Sequence, residues 1–160
     1  NITIPNSVTS IAGGSFSGCN KLESITLPFV GASTTANNGY DQVFGYIFGY
    51  ETSSSKSLAN VTYQYYYNSL YYHYYIPASL KKVEITVGDV KEKAFYNCSS
   101  LESFSIPESV VSIGESAFSS CTSLTSIDIP TGITRIENMV FSDCSSLSNI
   151  TIPDNIVYIE

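Results

Sequence analysis

The sequence runs to 160 residues, about the length of one domain, and 43% of them are hydrophobic, enough for a packed core. Charged residues make up only 13%, against roughly 25% in ordinary globular chains, and 14 acids outnumber 7 bases to leave a net charge of −7. That balance excludes the basic face that nucleic acid demands and speaks against an anionic membrane surface; no run approaches the roughly 20 apolar residues of a membrane span.

In chain order, the first element is Asn1-Ile2-Thr3-Ile4-Pro5, an alternating strand stopped by a proline. The apolar pair Val8/Ile11 follows, then Phe16, Cys19 and Leu22, and a second strand at 24–27 that stops at Pro28. Residues 29–57 interrupt this order with a Gly/Ser/Thr/Asn stretch and then the aromatic run Phe44-Gly-Tyr-Ile-Phe-Gly-Tyr50. Leu58-Ala-Asn-Val61-Thr-Tyr63 fits the strand formula again and predicts a strand near 60–63. Residues 63–75 are rich in tyrosine, and Leu80-Lys-Lys-Val83-Glu-Ile85 then resumes the pattern.

From Cys98 the repetition is regular. Cys98-Ser-Ser-Leu101-Glu-Ser-Phe104-Ser-Ile106-Pro107, Cys121-Thr-Ser-Leu124-Thr-Ser-Ile127-Asp-Ile129-Pro130 and Cys144-Ser-Ser-Leu147-Ser-Asn-Ile150-Thr-Ile152-Pro153 align at a period of 23 residues. Phe95, Phe118 and Phe141 hold one column, and Val110/Ile113, Ile133/Ile136 and Ile156/Ile159 another. Alternation puts Ile127 and Ile129 in a core while Ser126 and Asp128 face out. The pair after each proline starts a second, shorter extended run, and Ala117-Phe118-Ser-Ser-Cys121 is short enough for a single helical turn that closes the coil. So small a unit cannot bury its apolar face alone, which makes a stacked solenoid the expected architecture. Seven rungs are predicted, near 2–4, 24–27, 60–63, 82–86, 103–106, 126–129 and 149–152, and both ends read as cut from a longer array without a signal peptide.

The motif Ile-Pro-x-x-Val-x-x-Ile-Gly-x-x-Ala-Phe-x-x-Cys-x-x-Leu-x-x-Ile, standing almost whole from Ile106 to Ile127, resembles the BspA-like leucine-rich repeat family. The resemblance covers the chain except residues 29–57, which look like an insertion of the kind some members carry. It implies one β-rich solenoid over 1–160: a leucine-rich-repeat arc with a parallel sheet, short second extended runs and single helical turns. It also implies a secreted or cell-surface protein with a role in adhesion to host matrix proteins or other cells.

No catalytic constellation accompanies the repeat. His73 is the one histidine and lies among tyrosines, and no nucleophile elbow, metalloprotease, phosphate-loop or dinucleotide motif is present. The four cysteines share one repeat column and lack the close pairs that zinc requires. Stacked columns hold their Cβ atoms about 4.8 Å apart, wider than a disulfide prefers, so free thiols are expected. Neither metal nor cofactor is expected, and an enzyme is the remote reading.

A leucine-rich-repeat arc ordinarily binds on its open sheet face. Here the outward residues are Ser24, Thr26, Asn60, Thr62, Lys82, Glu84, Ser103, Ser105, Ser126, Asp128, Asn149 and Thr151. They supply none of the Trp, Tyr or Arg anchors that dominate binding energetics. The candidate ligand-contacting residues are therefore Tyr65, Tyr66, Tyr67, Tyr71, Tyr72, Tyr74 and Tyr75. Two readings stay open for them: a satellite core in which these rings and the 29–57 aromatics cover one another, and a rigid patch that binds protein or glycan on a host or neighbouring cell. A third role for the whole array is that of a spacer holding another domain away from the cell.

Overall fold

The computed structural model describes residues 1–37, 39–51, 61–67 and 71–160, with the backbone alone at 51, 65–67 and 71. Within them the strands are, in chain order, β1 (Ile2–Thr3), β2 (Ser24–Leu27), β3 (Tyr50–Glu51), β4 (Val61–Tyr67), β5 (Tyr71–Pro77), β6 (Lys82–Ile85), β7 (Ser103–Ser105), β8 (Ser126–Asp128), β9 (Arg135–Ile136), β10 (Asn149–Thr151) and β11 (Tyr158–Ile159). Six of them stack as a parallel sheet in the order β1-β2-β6-β7-β8-β10. The repeat columns stay in register: Ile2 faces Ile25, Ile25 faces Val83, Val83 faces Phe104, and Ile127 faces Ile150.

Alternation sorts the two sides of this sheet as the sequence predicts. Ile25, Val83, Phe104, Ile127 and Ile129 are buried, whereas Lys82, Ser105, Ser126 and Asp128 are exposed. Each inward residue is worth roughly 1.5–3 kcal/mol of burial, and one rung supplies several. At the edge strand β10 the same columns open to solvent, with Ile150 38% and Ile152 40% exposed. The proline that ends each strand also begins a tight turn, in which the N–H groups of Val8, Val110, Ile133 and Ile156 donate to the carbonyls of Pro5, Pro107, Pro130 and Pro153. Those turns deliver the second extended runs, seen as β9 paired in parallel with β11 and as the bridge Val90–Ile113.

The Ala-Phe-x-x-Cys corner is a chain of turns rather than a helical turn. Ala117, Ser119 and Cys121 each donate to the carbonyl three residues back, and so does Leu124 from Cys121. Two residues per corner take left-handed backbone angles, Lys93/Asn97, Ser116/Ser120 and Met139/Asp143, with φ between 54° and 61°. The first corner has glycine at both equivalent positions, Gly14 and Gly18, the residue that adopts this region without steric penalty. Outward-turned N–H groups then ladder from corner to corner: Phe95 donates to Ala117, Asn97 to Ser119, Phe118 to Val140 and Ser120 to Ser142. A Cβ on Gly18 would meet nothing within 4 Å, so its φ of 77° is the whole obstacle to substitution. Gly18→Ala should therefore cost about 1 kcal/mol in urea unfolding, and Gly18→Asn markedly less. Equal stability of the alanine variant would mean that the first corner is not left-handed.

The predicted rung at 60–63 is not there. β2 pairs directly with β6, Ser24 to Lys82 through Leu27 to Ile85, while Val61–Tyr67 joins a separate antiparallel sheet ordered β3-β5-β4. Leu58 and Asn60 lie outside the described residues, and Thr62 stands beside Ser100, hydroxyl to hydroxyl at 3.5 Å, instead of on the open face of the main sheet. The physical reason is pairing. β4 and β5 match over seven positions from Val61–Pro77 to Tyr67–Tyr71, and this self-complementarity outcompetes a three-residue place in the parallel sheet.

The segment after β2 nevertheless completes the coil. Ile11 donates to Ala32 and Ala32 to Asp41, which supplies the second run of that rung. A 3-10 helix at Phe44–Phe48 then takes the corner position: Phe16 donates to Ile47, and Phe44 donates to Ala94. Rings follow the same path, from Phe16 to Phe48 (6.3 Å between centroids), Phe44 (5.3 Å), Phe95 (5.1 Å), Phe118 (5.4 Å) and Phe141 (5.8 Å). The chain leaves the corner at Gly49, runs out through the antiparallel sheet, and returns at Pro77. There the Leu80 N–H donates to Pro77 as Leu101 does to Cys98.

Candidate ligand-binding surface

A buried polar side chain of β4 helps to fasten the antiparallel sheet to the solenoid. Gln64 is fully buried; its Oε1 accepts the Gly45 N–H at 2.6 Å, and its Nε2 donates to Ala94 O at 2.9 Å and Lys93 O at 3.2 Å. Gly45 has to be glycine, because a Cβ there would come within 2.2 Å of the Tyr74 Cβ. Tyr74 is itself 0% exposed and its hydroxyl donates to Tyr40 O at 2.6 Å. Burial, reinforced by Tyr72, Tyr50, Asp41 and Tyr40, pushes that hydroxyl's pKa far above the ordinary phenol range. Tyr74 therefore leaves the group of candidate ligand-contacting residues: it is core, held as an alcohol.

The other tyrosines distribute unevenly. Tyr72 and Tyr75 are half-buried, Tyr75 edge-on to Tyr63 at 5.8 Å. Tyr72 stacks on Tyr40 at 5.4 Å and meets Tyr50 edge-on at 5.0 Å. Tyr65, Tyr66, Tyr67 and Tyr71 occupy strand positions opposite His73, Tyr72, Tyr71 and Tyr67, and their side chains lie outside the described residues. At the sheet's edge stand Tyr40, Tyr46 and Tyr50 of the 29–57 insertion, which the sequence reading groups with the tyrosine-rich segment without naming them as contact residues. With Gly13, Gly14 and Gly49 they line an open cleft of about 480 Å³. The signal available for them was glycine: Gly13-Gly14 and Gly49 put backbone, not side chains, along the cleft beside those rings.

The parallel sheet's open face is small and hydroxylic, with Thr26 donating to Glu84 at 3.4 Å. Among the described residues no cluster of His, Cys, Asp and Glu is arranged to hold a metal ion, and no helix is long and apolar enough to cross a membrane.

A family description, BspA type leucine rich repeat region (six copies), matches residues 1–85 and 68–160. The chain belongs to that family. Among solved structures, this BspA-type array is similar to a leucine-rich repeat protein from Bacteroides ovatus, at 35% identity over 99% of this chain and 32% of that one, with a TM-score of 0.59. It is also similar to a leucine rich cell surface protein from Faecalibacterium prausnitzii (27% identity, 99% and 59% covered, TM-score 0.43) and to a T. pallidum leucine rich repeat protein (18%, 98% and 67%, 0.48). The BspA-type array thus spans about a third of the length of the B. ovatus protein. Among curated proteins no match was found.

The cysteine column of the BspA-type array has a structural use. The thiols of Cys121 and Cys144 donate to Phe95 O and Phe118 O one rung away, at 3.2 and 3.1 Å. Burial pushes the thiols of Cys98, Cys121 and Cys144 above the ordinary range. A group whose folded pKa is raised stabilises the fold fully below its unfolded pKa, about 8.5 for cysteine, and that contribution fades as pH rises beyond it. The thiols' share of the stability should be constant up to about pH 8.5 and fall from there towards pH 10, so the profile of Cys121→Ala should fall less than that of the wild type. Parallel profiles over that interval would contradict the burial of this thiol.

Proposed function

We propose that this BspA-type array is a non-catalytic binding module of a secreted or surface protein, which recognises protein or glycan on a host or neighbouring cell through its tyrosine-bearing antiparallel sheet. One observation carries the reading. The described residues of 50–77 add no rung to the main sheet, yet they place an aromatic side chain at the surface, Tyr50 at 44% exposure. Coil closure needs only the Phe44–Phe48 corner and the return at Pro77. A tyrosine ring with a hydroxyl at its rim binds sugars and proteins while remaining compatible with water. Replacing Tyr65, Tyr66, Tyr67, Tyr71 and Tyr72 with serine, in a variant whose circular dichroism is native, should abolish capture on matrix-protein and glycan arrays. Undiminished capture would move the site elsewhere.

A spacer role is the second reading, favoured by the open face of the main sheet, which presents serine, threonine, lysine and acidic residues without an aromatic anchor. An intact array that captured nothing in those assays would make it the better one.

A further inference from the structure

We propose that the cleft among Gly13, Gly14, Tyr40, Tyr46, Gly49 and Tyr50 is a carbohydrate site, taking a short neutral segment whose pyranose ring stacks on the tyrosines. The inference deepens the binding-module reading and rests on it.

The cleft is built from parts far apart in sequence. Its floor is the first corner and the end of the 3-10 helix, joined where the N–H groups of Gly14 and Gly49 both donate to Tyr46 O. Missing side chains make the room. The ring of Tyr46 lies over Gly13, its Cζ 3.1 Å from where a Cβ would stand, and Gly14 and Gly49 lie side by side with left-handed backbone angles, φ 72° and 93°. Its walls are braced from behind, because Tyr72 stacks on Tyr40 and abuts Tyr50, while Tyr74 packs under Tyr50 at 5.8 Å. Rings held this way lose little freedom on binding, the condition for affinity from a small contact.

Three features select the ligand class. The volume, about 480 Å³, falls in the small-molecule range of about 300–1,000 Å³. No lining side chain carries a charge and the protein's net charge is −7, which disfavours sialylated or sulfated sugars. On the floor the Gly14 N–H, Gly49 N–H and Gly49 C=O are already engaged, the last by the Tyr75 N–H at 3.0 Å, which leaves a docked peptide little main chain to pair with there; β3 at the wall pairs on one side alone among the described residues, so a peptide is the competitor that the test has to exclude. What remains for recognition is flat ring faces and phenolic hydroxyls. These match a sugar, whose C–H face is apolar and whose rim is hydroxyl.

The test is an array of neutral glycans probed with the intact chain, followed by saturation-transfer NMR on the hits. Binding is expected to put saturation on the ring C–H protons, to weaken about tenfold or more in Tyr50→Ala and Tyr40→Ala, and to weaken clearly less in Tyr50→Phe, which keeps the ring and loses the hydroxyl. Each variant is checked by circular dichroism and thermal melting; were the alanine variants to unfold, Gly13→Ala, which pushes on the Tyr46 ring from below, replaces them. Capture of matrix proteins with no neutral glycan bound would overturn the carbohydrate site and leave the binding-module reading standing. Glycan binding unchanged in a folded Tyr50→Ala variant would also overturn it, and failure to capture any protein or glycan would sink both.

Discussion

Ile127→Asp should destabilise the fold by about 3–5 kcal/mol, whereas Ser126→Asp, one residue away, should change it by less than about 0.5 kcal/mol. Ile127 is 2% exposed at the centre of β8, and its strand neighbours Phe104 and Ile150 offer no cation or donor side chain. A carboxylate there either stays charged without a partner or takes up a proton at the expense of folding. Ser126 points from the same strand into water. Urea unfolding of both variants measures the contrast, and small, equal losses would mean that the strand register is wrong.

The second large effect is expected at Gln64. Gln64→Leu keeps the volume roughly but leaves the buried Gly45 N–H without its partner, while the Ala94 and Lys93 carbonyls keep the Phe44 and Tyr96 N–H groups. An orphaned buried group costs about 1–3 kcal/mol, and a loss of that size is expected. Its character should differ from that at Ile127. The lost bonds join β4 to the 3-10 helix and to the Lys93–Ala94 corner, so the antiparallel sheet should loosen first. Hydrogen exchange should speed up at Val61–Gln64 and Tyr74–Ile76 well before it does at Ile127. Uniform acceleration across the chain would instead show that the two sheets unfold as one unit.

The solenoid was legible in the sequence because its core is local and repeated: every residue of the Phe95, Phe118 and Phe141 column meets the same surroundings one rung later. The antiparallel sheet was not. Leu58-x-x-Val61-x-Tyr63 satisfies the strand formula whether its partner is a parallel rung or its own hairpin, and the formula does not name the partner. Gln64 held the contrary sign, since it stands where Pro28, Pro107, Pro130 and Pro153 end their strands, but its burial depends on Gly45 and Ala94, which sit elsewhere in the chain. The candidate site failed to resolve for a related reason. Tyr72 and Tyr74 lie two residues apart on one face of β5, so alternation gave no contrast between Tyr74, wholly inside, and Tyr72, half out. Tyr40, Tyr46 and Tyr50 lay within the 29–57 insertion, but their meeting in one cleft with Gly13, Gly14 and Gly49 depends on contacts across the chain that spacing does not show.

Pulled along its stacking axis, such an array peels one rung at a time. Thr125 and Glu102, bonded across neighbouring rungs, are 23 residues apart, so detaching an ordinary rung frees roughly 80 Å of extended chain. Thr26 and Glu84 are bonded across the same kind of step but lie 58 residues apart, and releasing that rung together with its antiparallel sheet frees roughly 200 Å. The excursion that carries the tyrosines is thus also a reserve of slack. Under tension it would let a tethered array lengthen by more than two ordinary rungs in a single event while the stacks on either side stay folded.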